Sequence, residues 1–204
     1  MMVIKMLNLY AGIGGNRKLL PENVEVTAVE NNPQIAKIYQ DFFPNDKVII
    51  ADAHQYLLDH YKEFNFIWSS PPCPSHSDIR RMGVDIGKHK PIYPDMKLYE
   101  EIIFLTNFFE GLFVVENVIS YYTPLITPQI CGRHYFWSNF KINNINFKAS
   151  NIKRGKVNEW EKMFGFKLPK DAKDKRTLLR NCVKPELGLH IFNSAFKIKQ
   201  TVLT

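Results

Sequence analysis

Five short apolar runs, separated by stretches of helical spacing, constrain this chain more than any other feature of its sequence. The runs are VIKMLNLY (3–10), VEVTAVE (24–30), KVIIADA (47–53), FNFIWSS (64–70) and LFVVENV (112–118). Between them, NPQIAKIYQDFF (32–43) and PDMKLYEEIIFLTNFFEG (94–111) carry apolar residues three and four apart, with a proline near the first turn. That is the pattern of an amphipathic helix. Alternating strands and helices predict an α/β fold built on a doubly wound, mostly parallel sheet covered on both faces. Ligands of such sheets sit at the carboxyl ends of the strands.

Read in order, those strand ends are YAGIGG, Glu30, Asp52, SSPPC and ENV. Beyond residue 120 the alternation weakens. RHYFWSNFKI and INFKAS are expected to form two further strands, a hairpin near the sheet edge. Residues 151–180 turn basic and irregular, with KRGK and KDAKDKR, and read either as a segment that touches a partner or as a solvated charged surface. After Pro185 helical periodicity returns, and this stretch is expected to pack back on the sheet. The organisation expected is a catalytic and cofactor-binding unit at 1–140, a minimal recognition segment at 141–180 and a returning segment at 181–204.

A composition of 45% hydrophobic and 13% aromatic residues supplies a core and excludes a disordered chain. The first apolar run is too short to span a bilayer and has no small-residue cleavage site after it, so an intracellular protein with no membrane association is expected. Cys73, Cys131 and Cys182 are far apart and form no C-x-x-C pair, which argues against a disulfide framework and a thiolate metal site. The formal charge of +7 and pI near 9.2 favour a polyanionic partner.

Three motifs carry chemistry. The glycines of AGIGG, between a strand and a helix, allow a tight turn with bare backbone amides. Glu30, at the end of the next strand, stands where a ribose diol would be bound, and Asp52 ends a third. Together they point to a nucleoside-containing cofactor, against the plainer reading of a helix-capping turn. Cys73 is framed by Pro71, Pro72 and Pro74. With Arg80, Arg81, Lys88 and Lys90 following, it reads as a thiolate nucleophile whose pKa cations would lower. Its alternative is a small buried hydrophobe. Glu116 follows a buried apolar run, where desolvation would raise its pKa and ready it to donate a proton, unless it serves a structural ion pair. A thiol beside a proton-donating acid suits attack on an electron-poor ring such as a pyrimidine.

NLYAGIGG, VENNP, ADA, SSPPCPSHS, ENV, PQICGRHYF and NCVKPELGLHI, in this order, resemble the motif series of the S-adenosylmethionine-dependent DNA cytosine-5 methyltransferases. The resemblance implies a Rossmann-like methyltransferase fold, S-adenosylmethionine as cofactor and double-stranded DNA as substrate, in the manner of restriction-modification enzymes. It implies that Cys73 adds to C6 of a flipped-out cytosine, that Glu116 protonates or hydrogen-bonds N3, that Asn117 orients Glu116 or the cysteine loop, and that Arg133 contacts the target base. It assigns Tyr10, Ala11, Gly12, Gly14, Gly15, Glu30, Asn31, Asp52, Ala53, Pro71, Asn181 and Val183 to the cofactor. Ser77, Arg80, Arg81, Lys88, Gln129, Arg133, Lys153 and Arg154 are assigned to DNA. Pro74, His76 and Cys131 depart from the family's usual residues, and the short span at 141–180 implies a reduced recognition element or a helper subunit. Modification of RNA by the same Cys and Glu, and a regulatory DNA-binding subunit without activity, are the alternatives. An amino-methyltransferase is disfavoured, because an aromatic residue would then stand at Cys73.

Overall fold

A computed structural model describes residues 3–145 and 155–197. The strands are β1 (Ile4–Leu9), β2 (Val24–Val29), β3 (Lys47–Ile49), β4 (Phe66–Ser69), β5 (Leu112–Val118), β6 (Gln129–Cys131) and β7 (His134–Ser138). The helices are α1 (Pro33–Phe42), α2 (Ala53–His60), α3 (Asp78–Asp85), α4 (Lys97–Phe108), α5 (Val157–Phe164), α6 (Lys175–Arg180) and α7 (Pro185–Phe196). They build one seven-stranded sheet in the order β3-β2-β1-β4-β5-β7-β6. The first five strands are parallel, and β7 runs antiparallel to both β5 and β6. This is a Rossmann-like methyltransferase fold, and β1 lies at its switch point, paired with β2 on one side and β4 on the other.

Period-two alternation divides each central strand between two cores. Met6, Val26, Phe66 and Trp68 face α7, burying Leu187, Ile191 and Phe192. Leu7, Leu9, Ile67 and Val115 face the other way, onto Leu57 of α2 and Leu98, Ile102 and Leu105 of α4. The Pro185 segment thus returns to the sheet as a helix. Among the described residues no helix is long and apolar enough to cross a membrane.

Three expectations need correction. The run 47–53 is not one strand: β3 ends at Ile49, and Asp52 caps α2 by accepting a hydrogen bond from the Gln55 amide at 2.9 Å. The Asp-x-x-Gln spacing was the available signal. The edge hairpin pairs β7 with β6, through a turn at Gly132 with φ of +61°. The partner expected for it, INFKAS (145–150), lies outside the described residues except for Ile145. The basic stretch is not irregular where it is described. Trp160, Phe164, Phe166, Leu168 and Leu179 of the α5–α6 region bury themselves against Ile13 and Ile38. Lysines on the outer faces hid the i, i+4 pair Trp160/Phe164 from a reading by composition.

Because this cluster is continuous with the glycine turn and α1, the α5–α6 region should unfold with the rest of the chain. Trp160→Ala should destabilise it by about 3–5 kcal/mol, read as a shift of a single urea transition. A second, independent transition in the unaltered chain would contradict the shared core.

Candidate functional site

The carboxyl ends of the central strands, closed over by the α6–α7 connection, enclose a cavity of about 330 Å³, within the range of small-molecule sites. Its first wall is the turn after β1. Tyr10, Gly12 and Gly14 all have positive φ, +55°, +55° and +82°. A side chain at Gly14 would collide with the Tyr39 and Phe43 rings, and one at Gly15 with the Val183 carbonyl. Only glycine permits this approach. Glu30 is buried and joins the turn to α1: its carboxylate accepts the amide hydrogens of Gly12 at 3.0 Å and Asn32 at 2.9 Å.

Behind the turn sits Glu101, fully buried. It accepts hydrogen bonds from the Tyr10 hydroxyl at 2.6 Å and the Ser69 hydroxyl at 2.5 Å, and His54 Nδ1 lies 3.0 Å away. This carboxyl fixes β1, β4 and α2 relative to one another. Burial, and then the Glu101 charge, push the Tyr10 phenol far above its ordinary value.

The opposite wall is the cysteine loop. The Asn117 amide donates to the Pro71 carbonyl at 2.9 Å, while its own oxygen accepts from the Val118 amide at 3.0 Å. The amides of His76 and Ser77 both donate to the Cys73 carbonyl, at 3.0 and 3.1 Å. Ser77 bridges to Ser120 and caps α3. The prolines and these bonds hold Cys73 half-buried in the cavity wall. Burial, followed by the nearby Glu116 carboxylate, raises its thiol pKa. The lowering expected from Arg80, Arg81, Lys88 and Lys90 does not occur. Arg81 pairs with Asp85 at 3.0 Å, Arg80 reaches the Lys90 carbonyl, and Lys88 is exposed; the cation bearing on the thiol is Arg180.

Glu116 points into the same cavity from β5 and is 8% exposed. The ionisable side chain that β7 brings to it is not Arg133, which is exposed at the β6–β7 turn, but His134, with Nε2 at 3.6 Å. The antiparallel register sets Glu116 opposite Phe136 and so brings His134, two residues before it, to the same face.

The cavity therefore gathers Tyr10, Ala11, Gly12, Gly15, Glu30, Asn31, Pro71, Cys73, Glu116, Asn117, Asn181 and Val183. Gly14 stands behind the turn, and Asp52, committed to capping α2, and Ala53 lie outside. None of Ser77, Arg80, Arg81, Lys88, Gln129 and Arg133 lines it. Gln129 is occupied within its own hairpin, donating to Ser138 and Phe140 and accepting from Ile142. Lys153 and Arg154 fall outside the described residues. Sequence reading missed His134, Glu101, and Thr177 and Arg180 of α6. His134 was visible only as the neighbour of an expected arginine, and the others gave no signal.

A family model described as C-5 cytosine-specific DNA methylase matches residues 4–124. No curated protein sequence matches the chain. Among solved structures, the chain is similar to the methyltransferase EhMeth of Entamoeba histolytica, with 14% identity, 98% of this chain and 100% of that one covered, and a TM-score of 0.63. At that identity the likeness is one of fold. A hypothetical protein from Thermus thermophilus gives 17% identity, 66% and 73% coverage and a TM-score of 0.44. A DNMT2 variant from Spodoptera frugiperda gives 25%, 56% and 35%, and 0.39.

Two titrations test this geometry. Iodoacetamide should label Cys73 more slowly than a free thiol at pH 7, with a midpoint above the ordinary thiol range, and Glu116→Gln should move that midpoint down; peptide mapping would read both. The hydrogen bond to Glu101 raises the His54 pKa against its burial. Its stabilisation is then complete below about pH 6.5 and disappears as pH rises through the folded-state pKa. The melting temperatures of the unaltered chain and His54→Gln should therefore converge above that window.

Proposed function

Because the chain belongs to the C-5 cytosine-specific DNA methylase family, we propose that it methylates C5 of cytosine in double-stranded DNA through a covalent adduct on Cys73. The observation that carries this reading is the meeting of Cys73, Glu116, the glycine turn and Glu30 in one cavity. The wall fits S-adenosylmethionine. Two acceptor positions of the Glu30 carboxylate are taken by amides, and of about four on a carboxylate the rest remain for a ribose diol. Ile13, Ile35, Pro71 and Val183 offer apolar surface for a base. Tyr10, Ala11, Gly12, Gly15, Glu30, Asn31, Asn181 and Val183 would hold the cofactor, which supplies a methyl group on a sulfonium.

The chain's own residues do the rest. Cytosine must leave the duplex, since C6 is unreachable within the stack. The Cys73 thiol gives its proton to solvent as its sulfur bonds to C6, and Glu116 gives its proton to N3, so the electron pair of the C5–C6 double bond shifts to C5, which becomes an enamine-like carbon nucleophile. After methylation the C5 proton passes to water, the C6–S bond breaks with its electron pair leaving on the Cys73 sulfur, and the N3 proton returns to Glu116, which restores the aromatic ring. Asn117 keeps the thiol aimed by holding the Pro71 carbonyl. The exposed cations Arg81, Lys88 and Arg133 serve phosphate attraction, which carries no base information.

A duplex containing 5-fluorocytosine tests this directly, because fluorine cannot leave C5 as a proton does. With S-adenosylmethionine, a denaturant-stable adduct should form on the unaltered chain and not on Cys73→Ala. Glu116→Gln should slow methylation of ordinary cytosine about 10²- to 10⁴-fold, and Glu30→Ala should weaken cofactor binding about tenfold or more. An adduct on tRNA and not on duplex would change the substrate. No adduct on duplex, single strand or tRNA, with cofactor bound, would overturn the reading.

A further inference from the structure

Among the described residues Glu116 has one close ionisable neighbour from another strand, and it is not the expected Arg133. His134 opens β7, lines the cavity beside Glu116, and places Nε2 3.6 Å from Glu116 Oε1. Its other ring nitrogen, Nδ1, is buried and has no hydrogen-bond partner among the described residues. A proton on Nε2 faces the Glu116 oxygen, whereas a proton on Nδ1 would face no acceptor and turn the Nε2 lone pair toward that oxygen. The proton of a neutral ring is thereby assigned to Nε2, facing the carboxyl. Burial lowers the His134 pKa, the Arg133 charge adds to this, and the opposing pull of Glu116 does not reverse it. Burial thus favours the neutral ring. The other titratable groups lining the cavity are Tyr10, Glu30, the Cys73 and Cys182 thiols and the Arg180 guanidinium.

We propose that His134 is the positioning residue for Glu116, donating its Nε2–H to the carboxyl and doing so most strongly once that carboxyl has given its proton to the substrate ring. The inference rests on the reading of Glu116 as the proton donor. During attack the Glu116 O–H bond breaks and the N3–H bond forms as sulfur bonds to C6. His134 keeps its own proton throughout. A neutral carboxyl is a poor acceptor and a carboxylate a strong one, so this bond strengthens along the reaction, which is the condition for acceleration. The gap lies just beyond hydrogen-bond length, and such contacts tighten when substrate is bound.

Two measurements on the full chain decide this. In ¹⁵N-histidine spectra at pH 7, the signals lost in His134→Phe should be those of a neutral Nε2–H ring, and its Nε2 resonance should move in Glu116→Gln. On the 5-fluorocytosine duplex, His134→Phe should slow adduct formation about 10- to 100-fold. His134→Gln, which keeps a donor near Nε2, should recover most of that rate, and S-adenosylmethionine affinity should stay within about twofold in both variants. A Nδ1–H tautomer or an imidazolium at pH 7, full speed in His134→Phe, or a His134→Gln as slow as His134→Phe with intact cofactor binding would each overturn the proposal. If the unaltered chain forms no adduct on any nucleic acid, the substrate reading falls, and the spectra still decide the pairing of His134 with Glu116.

Discussion

β1 is hydrogen-bonded in parallel to β2 on one side and β4 on the other, and the rest of the site depends on that single arrangement. Chains leaving the carboxyl ends of two neighbouring strands in opposite directions open a crevice that neither helix layer covers. The glycine turn drops into it from β1, the cysteine loop from β4, and Glu30 arrives from the end of β2. The buried Glu101 carboxyl locks this geometry from below by accepting hydrogen bonds from Tyr10 and Ser69 together. Such a carboxyl is tolerable only because it is fully bonded.

The thiol's environment is less activating than its position. A cysteine in an electropositive setting would be ionised at rest; this one is buried beside a carboxylate that disfavours its charge. The chain invests in aim rather than in a resting thiolate. Asn117 on the Pro71 carbonyl, two amides on the Cys73 carbonyl and the Ser77–Ser120 bridge fix where the sulfur points. A nucleophile held in this way need ionise only when its target is present, which suits chemistry on a base that enters from outside.

The reversal of β7 against β5 supplies what a purely parallel sheet could not. It brings a side chain from a later strand back to the carboxyl end of β5, and the register delivers His134 to Glu116. The α5–α6 region is likewise part of this architecture, because its aromatic cluster rests on the glycine turn and sends Thr177 and Arg180 into the cavity wall.

The amino-acid sequence by itself determined the strand and helix alternation, the glycine turn, the framing of Cys73 and the acid at the end of β5. All of these are local: periodicity, backbone freedom and proline rigidity act over a few neighbouring residues. It therefore also marked five strand ends, of which four meet in the cavity, those at the glycine turn, Glu30, the cysteine loop and Glu116. Tertiary structure alone decided the rest. Whether Cys73 meets a cation depends on where α3 turns Arg80 and Arg81. Whether Asp52 faces a ligand depends on its having become the cap of α2. The choice of His134 over Arg133 beside Glu116 is a matter of strand register, where a shift of one residue exchanges the faces. Packing contacts and register pair residues distant in the chain, and no local pattern encodes them.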